Sequence, residues 1–379
     1  MPTDHEDSAS ALLRLVLAGG SIKPRQRLLQ QFTHAHAALR AGHPAWRAAG
    51  CNALQCARLA APDAAQLRAG LAWLAGAGHH VVALTDEAYP ALLRQIDEPP
   101  LALFVQGNPL RLWHPAVAVV GSRSPTPSGA EHAHAFAAAL AAAGWSVVSG
   151  LAAGVDARAH QAALGVPGGM TVAVVASGLD QTYPPRHAAL QERIAAAGAV
   201  VSEYPPGTPP LQAYFPARNR IIAGLSLGTL VIEAAQRSGA LITARCAAEA
   251  GREVFALPGS IRNPRARGCH RLIRQGAALV EEVEEVVAGL APLAERLAGD
   301  LRTRLDAPTE QARPASSRAL SYPDPDYQRL WMSLDDNPTS MDSLILRSGL
   351  TAAQLSAMLL VMELDGKVMA AHGRYCRKP

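Results

Sequence analysis

Two short stretches hold the residue types that grip an anion. Gly121-Ser122-Arg123-Ser124 ends an apolar run, AVAVVGS, and Pro125 and Pro127 then open a helical pattern. Free backbone N–H groups, a hydroxyl and a guanidinium meeting at a helix N-terminus favour a phosphate. A second apolar run, WSVVSG, leads into SGLAAGVD. There Gly150 and Gly154 permit close backbone approach, and Asp156 is placed to cap the helix carrying His160. The plainer alternative is that these glycines only make the corners of tight turns. Four later loops, SGLDQTYPPRH, SEYPPGTPPLQAYFPARNR, EAAQRSGALITA and LPGSIRNPRARGCHRLIRQG, carry Tyr183, Arg186, Tyr204, Tyr214, Phe215, Arg218, Arg220, Arg237, Arg262, Arg265 and Arg267. From 116 to 280 there are 14 Arg against 8 acidic residues, so these loops form a cationic rim. Arginines interleaved with aromatic rings suit a single nucleic-acid strand: guanidinium groups hold phosphates, and rings stack bases for ~1–3 kcal/mol each. Helix-surface arginines and core aromatics are the plainer alternative for any one of these positions.

Other chemistries lack their signatures. The glycines after the first run are not spaced G-x-G-x-x-G, and the second run ends in Ser-Gly rather than an acid for a ribose, which argues against a dinucleotide cofactor. No G-x-x-x-x-G-K-[ST] phosphate loop or H-E-x-x-H helix occurs, and the one G-x-S-x-G match, GLSLG at 224–228, comes before an apolar run instead of between a strand and a helix, so no cofactor, metal or catalytic nucleophile is expected. His132, His134 and His160 read as solvated helix residues. Five scattered cysteines (Cys51, Cys56, Cys246, Cys269 and Cys376) without a C-x-x-C pair fit neither a disulfide framework nor a zinc ribbon, and point to a reducing compartment.

The elements that must hold these loops follow from the rhythm of the chain. AVAVVGS, WSVVSG, MTVAVVAS, AVVSEY, GTLVIEA and REVFALPG are short apolar runs without alternation, which is how strands covered on both faces of a parallel sheet read. Ala-rich helical stretches separate them, so the fold class is α/β, a doubly wound Rossmann-like parallel sheet. Residues 1–90 read as a helical module in which no strand precedes VVALTD at 81–86. Residues 91–289 form the α/β domain, 290–322 a Pro-, Ser- and Arg-rich linker, and 323–379 a small unit. In that last unit, helical segments at 327–334, 341–347 and 351–364 precede a hairpin turning at Gly373, the order of a winged helix-turn-helix. Its acids, Asp324, Asp326, Asp335, Asp336, Asp342, Glu363 and Asp365, outnumber its basic cluster of Arg374, Arg377 and Lys378. An acidic surface opposes a phosphate backbone and suits a protein contact.

The chain has 379 residues, 49% apolar and 17% charged, enough for two or three domains with their own cores. The net charge of +4 decides nothing about partners. The acids Asp4, Glu6 and Asp7 stand where a signal peptide would be basic, and the uncharged stretch at 135–155 is broken by Gly144, Ser146, Ser149 and Gly150. A cytoplasmic chain without a membrane segment is the expectation.

Taken together, GSRSPTPSG, SGLAAGVDARAH, VASGLDQTYPPRH, SEYPPGTPPLQAYFPARNRIIAGLS, VIEAAQRSGALITA and FALPGSI resemble the DNA-processing protein A (DprA/Smf) family in order and spacing. The resemblance is strong over 81–289. It implies an N-terminal sterile-alpha-motif-like (SAM-like) domain and a C-terminal winged helix. It further implies a non-catalytic homodimer of natural transformation that coats incoming single-stranded DNA and loads the RecA recombinase onto it. By resemblance, the single-strand pocket falls on Ser122 and Arg123, on Arg186 of the Y-P-x-x loop, and on Phe215, Arg218 and Arg220 of F-P-x-R-N-R. Gly150 of the second loop and Ser238 and Gly239 of the fifth are counted with it. Arg186 and His187 stand where the family often has Lys or Asn.

A second class competes. GLSLGTLVIE, from Gly224 to its final Glu233, is similar to the glycine-rich loop of nucleotide phosphoribohydrolases, which use an acid and an arginine on a nucleoside monophosphate. The Pro-Gly-Gly lead of that loop is absent. Glu233 would end a buried strand, where a paired structural carboxylate is expected.

Overall fold

A computed structural model describes residues 4–306, 325–334, 339–364, 368–371 and 374–377, and the chain forms two compact units that divide between Asp306 and Ala307. The first unit opens with helices α1 (Asp4–Leu17), α2 (Ile22–Phe32), α3 (Ala35–Arg40), α4 (Gly42–Ala48), α5 (Ala53–Ala60) and α6 (Ala64–Leu74). Strand β1 (His79–Ala83), helix α7 (Ala91–Arg94) and strand β2 (Ala102–Gly107) follow. The chain then alternates: β3 (Ala116–Val120), α8 (Pro127–Ala142), β4 (Ser146–Ser149), α9 (Val155–Gly165), β5 (Thr171–Val174), α10 (Ala188–Ala197), β6 (Ala199–Ser202), α11 (Tyr214–Leu225), β7 (Gly228–Val231), α12 (Ala240–Glu249), β8 (Glu253–Ala256), α13 (Arg267–Arg274), β9 (Ala278–Leu279) and α14 (Val283–Asp306).

All nine strands join one sheet in the order β1-β2-β6-β5-β4-β3-β7-β8-β9. The stretch from β6 to β9 is parallel, as the apolar runs require, and β3 to β7 are buried along their whole length. Successive side chains of β3 serve opposite faces. Val117 and Val119 pack with Ala133, Phe136 and Leu140 of α8, while Ala118 and Val120 share a core with Ile221 and Ile222 of α11 and Ala244 of α12. The chain winds from β3 outward to β6 and then returns to lay β7 on the other side of β3. The sheet therefore has its topological switch between β3 and β7, where ligands bind at the carboxyl ends of strands.

The sheet departs from the sequence reading at its edges. β1 and β2 add two antiparallel strands beyond β6, so VVALTD contributes to the sheet and not to the helical module alone. The core of that module is continuous with the sheet through Val82, Ala83 and Tyr89, and Gln26 Nε2 donates to Pro99 O at 2.6 Å. Residues 290–306, read as linker, continue α14, because Val286, Leu290 and Leu293 recur at helical spacing and are buried against the sheet side that holds Phe255.

The second unit holds α15 (Pro325–Ser333), β10 (Thr339–Ser340), α16 (Met341–Ser348), α17 (Ala352–Leu364), β11 (Val368–Ala371) and β12 (Arg374–Arg377). Leu330, Leu344, Leu355, Leu359 and Met362 fill its core, and β11 and β12 pair antiparallel with β10 beside β12, the winged-helix arrangement. The rest of the linker at 307–322, and Asp324, Asp335, Asp336, Asp365, Gly373 and Lys378, lie outside the described residues.

Candidate functional site

The turn leaving β3 stands as a ridge at the switch point. Ser122 Oγ accepts from Ser124 N at 3.2 Å, and Ser122 O accepts from Val155 N at 3.1 Å, which pins the turn to the start of α9. Gly154 makes this approach possible. It has φ +86°, and a Cβ there would lie 2.3 Å from Ser122 O. Beyond the ridge, Thr126 caps α8 by accepting from Gly129 N at 3.0 Å, with Pro127 at the first helical position. Glu233, following β7, closes this corner. Its carboxylate accepts from Thr126 N at 3.0 Å, Thr126 Oγ1 at 2.6 Å and Asn263 Nδ2 at 3.2 Å. It is a buried anion at a helix N-terminus, with its oxygens engaged.

The loop leaving β4 forms the floor. Asp156 Oδ2 accepts from Gly150 N at 3.2 Å and Ala152 N at 3.4 Å, so it folds back on this loop instead of capping α9, whose cap is Gly154. From the other side Arg218 Nη1 donates to Gly150 O at 2.8 Å and also to Val174 O, and Arg218 Nε donates to Asn219 Oδ1 at 3.2 Å. Asn219 Nδ2 reaches Gly239 O at 3.2 Å, tying α11 to the start of α12. Arg218 is 4% exposed, and burial pulls its guanidinium down to about 10 against the raising influence of Asp156. Burial likewise pushes the Asp156 carboxyl up, opposed by Arg218 and the two amides.

An aromatic edge completes the site. The Phe215 ring, half-buried in the first turn of α11, lies 5.4 Å from that of Tyr183, and the Arg123 guanidinium sits over it at 5.5 Å. Tyr183 is 47% exposed, and Tyr204 and Tyr214 stack at 4.1 Å. Between ridge, floor and α12 opens a cleft of about 460 Å³ lined by Ser122, Arg123, Asp156, Phe215, Arg218, Asn219, Arg237, Ser238 and Gly239. Three guanidinium groups face one carboxylate that is already engaged.

The structure thus brings Ser122, Arg123, Phe215, Arg218, Ser238 and Gly239 together, with Gly150 held beneath by Arg218. It does not bring Arg186 or Arg220 with them. Arg186 is exposed on a short 3-10 turn, Pro185–His187, and does not line the cleft. Arg220 is turned to Glu203, with Nη1 and Nη2 each donating to one carboxylate oxygen at 2.7 Å and Nε donating to Glu98 O at 2.9 Å. A guanidinium held on both prongs has no free fork for a phosphate. To the pocket expected by resemblance the cleft adds Asn219, Asp156, expected from sequence as a helix cap, and Arg237, already one of the rim arginines. Arg237 and Asn219 stood in the quoted motifs as the neighbours of Ser238 and Arg218.

His160 also differs from expectation. It is fully buried, and its Nδ1 lies 2.7 Å from Thr171 Oγ1. That hydroxyl donates to Val147 O at 2.6 Å, so it must accept from Nδ1–H. Nε2 is buried without a partner, and burial holds the imidazole down at about 3. His132 and His134 are exposed on α8. Among the described residues no cluster of three His, Cys, Asp or Glu side chains could hold a metal, and no helix is long and apolar enough to cross a membrane.

The family model for DNA recombination-mediator protein A matches residues 80–291, and that for the DprA winged helix domain matches 310–374. Protein Smf of Escherichia coli (strain K12) is 42% identical over 312 residues, covering 82% of this chain and 80% of its own. DNA processing protein DprA of Streptococcus pneumoniae is 48% identical over 205 residues, covering 54% and 72%. The X-ray structure of DprA from Streptococcus pneumoniae superposes with a TM-score of 0.64 at 38% identity, over 73% of this chain and 95% of that one. DNA processing protein A from Helicobacter pylori, described as having a unique single-stranded DNA binding mode, superposes with a TM-score of 0.51 at 29% identity, over 57% and 96%. Matched by the family model across its sheet and by a relative across four-fifths of its length, the chain belongs to the DNA processing protein A (DprA/Smf) family.

Proposed function

We propose that the chain binds single-stranded DNA in the cleft at the β3/β7 switch. The observation that carries this reading is the Arg123 guanidinium over the Phe215 ring, with Tyr183 alongside, at the mouth of a cleft floored by Arg218. An unpaired base can stack on such an edge while Arg123 and Arg237 take the flanking phosphates. A paired base has no face to offer. The single-strand binding described for the Helicobacter pylori relative supports the same reading. In this account Arg218 neutralises the floor and fixes the Gly150 loop, and Arg220 is structural.

Membership of the family extends the proposal: a cytoplasmic homodimer that protects incoming strands in natural transformation and loads RecA onto them, with no catalytic step. Glu233, the acid of the competing hydrolase reading, is engaged by Thr126 and Asn263 at the α8 cap and does not line the cleft. The test is a gel shift with single-stranded and blunt duplex oligonucleotides of one sequence at two salt concentrations. Tighter single-strand binding that weakens with salt is expected, and equal affinity for both would overturn the proposal. Incubation with nucleoside monophosphates should release no free base.

A further inference from the structure

The ridge that walls the cleft has a second side. Ser122 and Arg123 face the cleft, whereas Pro125, Thr126 and Pro127 border another cavity, of about 610 Å³. The loop after β4 divides the two in the same way, with Ala152 on the cleft and Gly154 on the cavity. Arg158 and Gln161 line the cavity from α9. Three residues apart on one helix, they lie on the same face. Both are exposed, and no hydrogen bond or ion pair holds the Arg158 side chain among the described residues. His187 also lines the cavity and donates Nδ1–H to Leu151 O at 2.9 Å, so the cavity is bonded to the floor loop of the cleft. Among the described residues no acidic side chain lines the cavity. Of the amides at the nearby α8 N-terminus, those of Thr126 and Gly129 are already taken by Glu233 and by the Thr126 hydroxyl, so the positive charge that would hold an anion there comes from a side chain.

A cleft of about 460 Å³ is the size that takes one small ligand, so a bound strand must leave it within a nucleotide or two. We propose that the cavity behind the ridge is a second anion subsite, in which Arg158 and the Gln161 amide hold a phosphodiester of the strand seated in the cleft. The proposal rests on the single-strand reading above. It gives the ridge two functions, with Arg123 on the side where bases stack and Arg158 on the side where the backbone continues.

Fluorescence anisotropy of the full chain tests it, with oligothymidylates of about two and about 20 nucleotides over a range of salt. Arg158→Ala should weaken binding of the long oligonucleotide about tenfold and lower its salt slope by about 0.7, the contribution of one phosphate on a single strand. The short one, which fills only the cleft, should bind as to the parent. Gln161→Glu should act in the same direction, and Arg158→Lys should recover most of the loss. Because Arg158 is exposed, the melting temperature should not move. Parental affinity and slope for the long oligonucleotide in both weakened variants would overturn the proposal, as would an equal loss on short and long. A parent chain that binds neither oligonucleotide would overturn the single-strand reading itself.

Discussion

Replacing Arg220 by alanine should damage the fold and leave the DNA contact intact, the reverse of what the F-P-x-R-N-R motif suggests. The guanidinium makes two parallel bonds to Glu203 at 2.7 Å, one to Glu98 O at 2.9 Å and one to Ala217 O at 2.9 Å, and the two charged side chains are only 20% and 14% exposed. Exposed pairs contribute about 0–1 kcal/mol, whereas removing one partner of a buried pair costs about 3–5 kcal/mol because the other charge stays desolvated. With this much burial, about 2–4 kcal/mol is expected, or a fall in melting temperature of about 4–10 °C for a unit of this size. Thermal melts and urea titrations would measure it. Combining Arg220→Ala with Glu203→Ala should recover part of the loss, since no carboxylate is then stranded. The salt slope of single-strand binding should stay at the parental value. A variant that melts like the parent while its slope falls by one phosphate would refute this reasoning and put Arg220 on the DNA.

Other consequences are as open to measurement. Phe215→Ala should weaken single-strand binding by ~1–3 kcal/mol with little change in salt slope, and, because the ring is only half-buried, with a small change in melting; a melting loss with intact affinity would make Phe215 a packing residue. The folded chain keeps His160 neutral down to about pH 3, while the unfolded imidazole takes its proton near pH 6.5. That share of stability is therefore full above about pH 6.5 and is lost as pH falls toward 3, by up to about 1.4 kcal/mol per unit. The His160 ring resonance should not shift between about pH 7 and 5 while the urea midpoint falls, and a ring that titrates near 6.5 would contradict the buried assignment. Deleting residues 307–379 should leave a folded unit with undiminished single-strand affinity, since the cleft lies wholly within 1–306; loss of binding in a truncation that keeps its circular dichroism would place the site elsewhere.

The parallel strands were legible because burial on both faces removes polar alternation, and all six apolar runs became strands. β2 follows Pro90, Pro99 and Pro100, which mask its short apolar run, and β9 has only two residues, too short for any pattern. Composition marks residues 290–306 as linker, although Val286, Leu290 and Leu293 already mark a helical stripe. Part of the site could have been sorted from spacing alone. Phe215 and Arg218 are three apart on α11 and share a face, whereas Arg218 and Arg220 are two apart, about 200° around the helix, and cannot both look into one cleft. His160 gave no local signal, since its hydrogen-bond partner is Thr171 on the next strand. Nor did anything near Arg220 in the chain announce Glu203, which arrives from the loop after β6.

Ultraviolet cross-linking of oligothymidylate to the full chain, followed by peptide mapping, tests the location of the strand most directly. Bases stacked on the cleft edge should cross-link to peptides containing Tyr183 and Phe215, and the yield should collapse in Arg123→Ala. Cross-links confined to residues 325–377, or a yield unaffected by Arg123→Ala, would contradict the account.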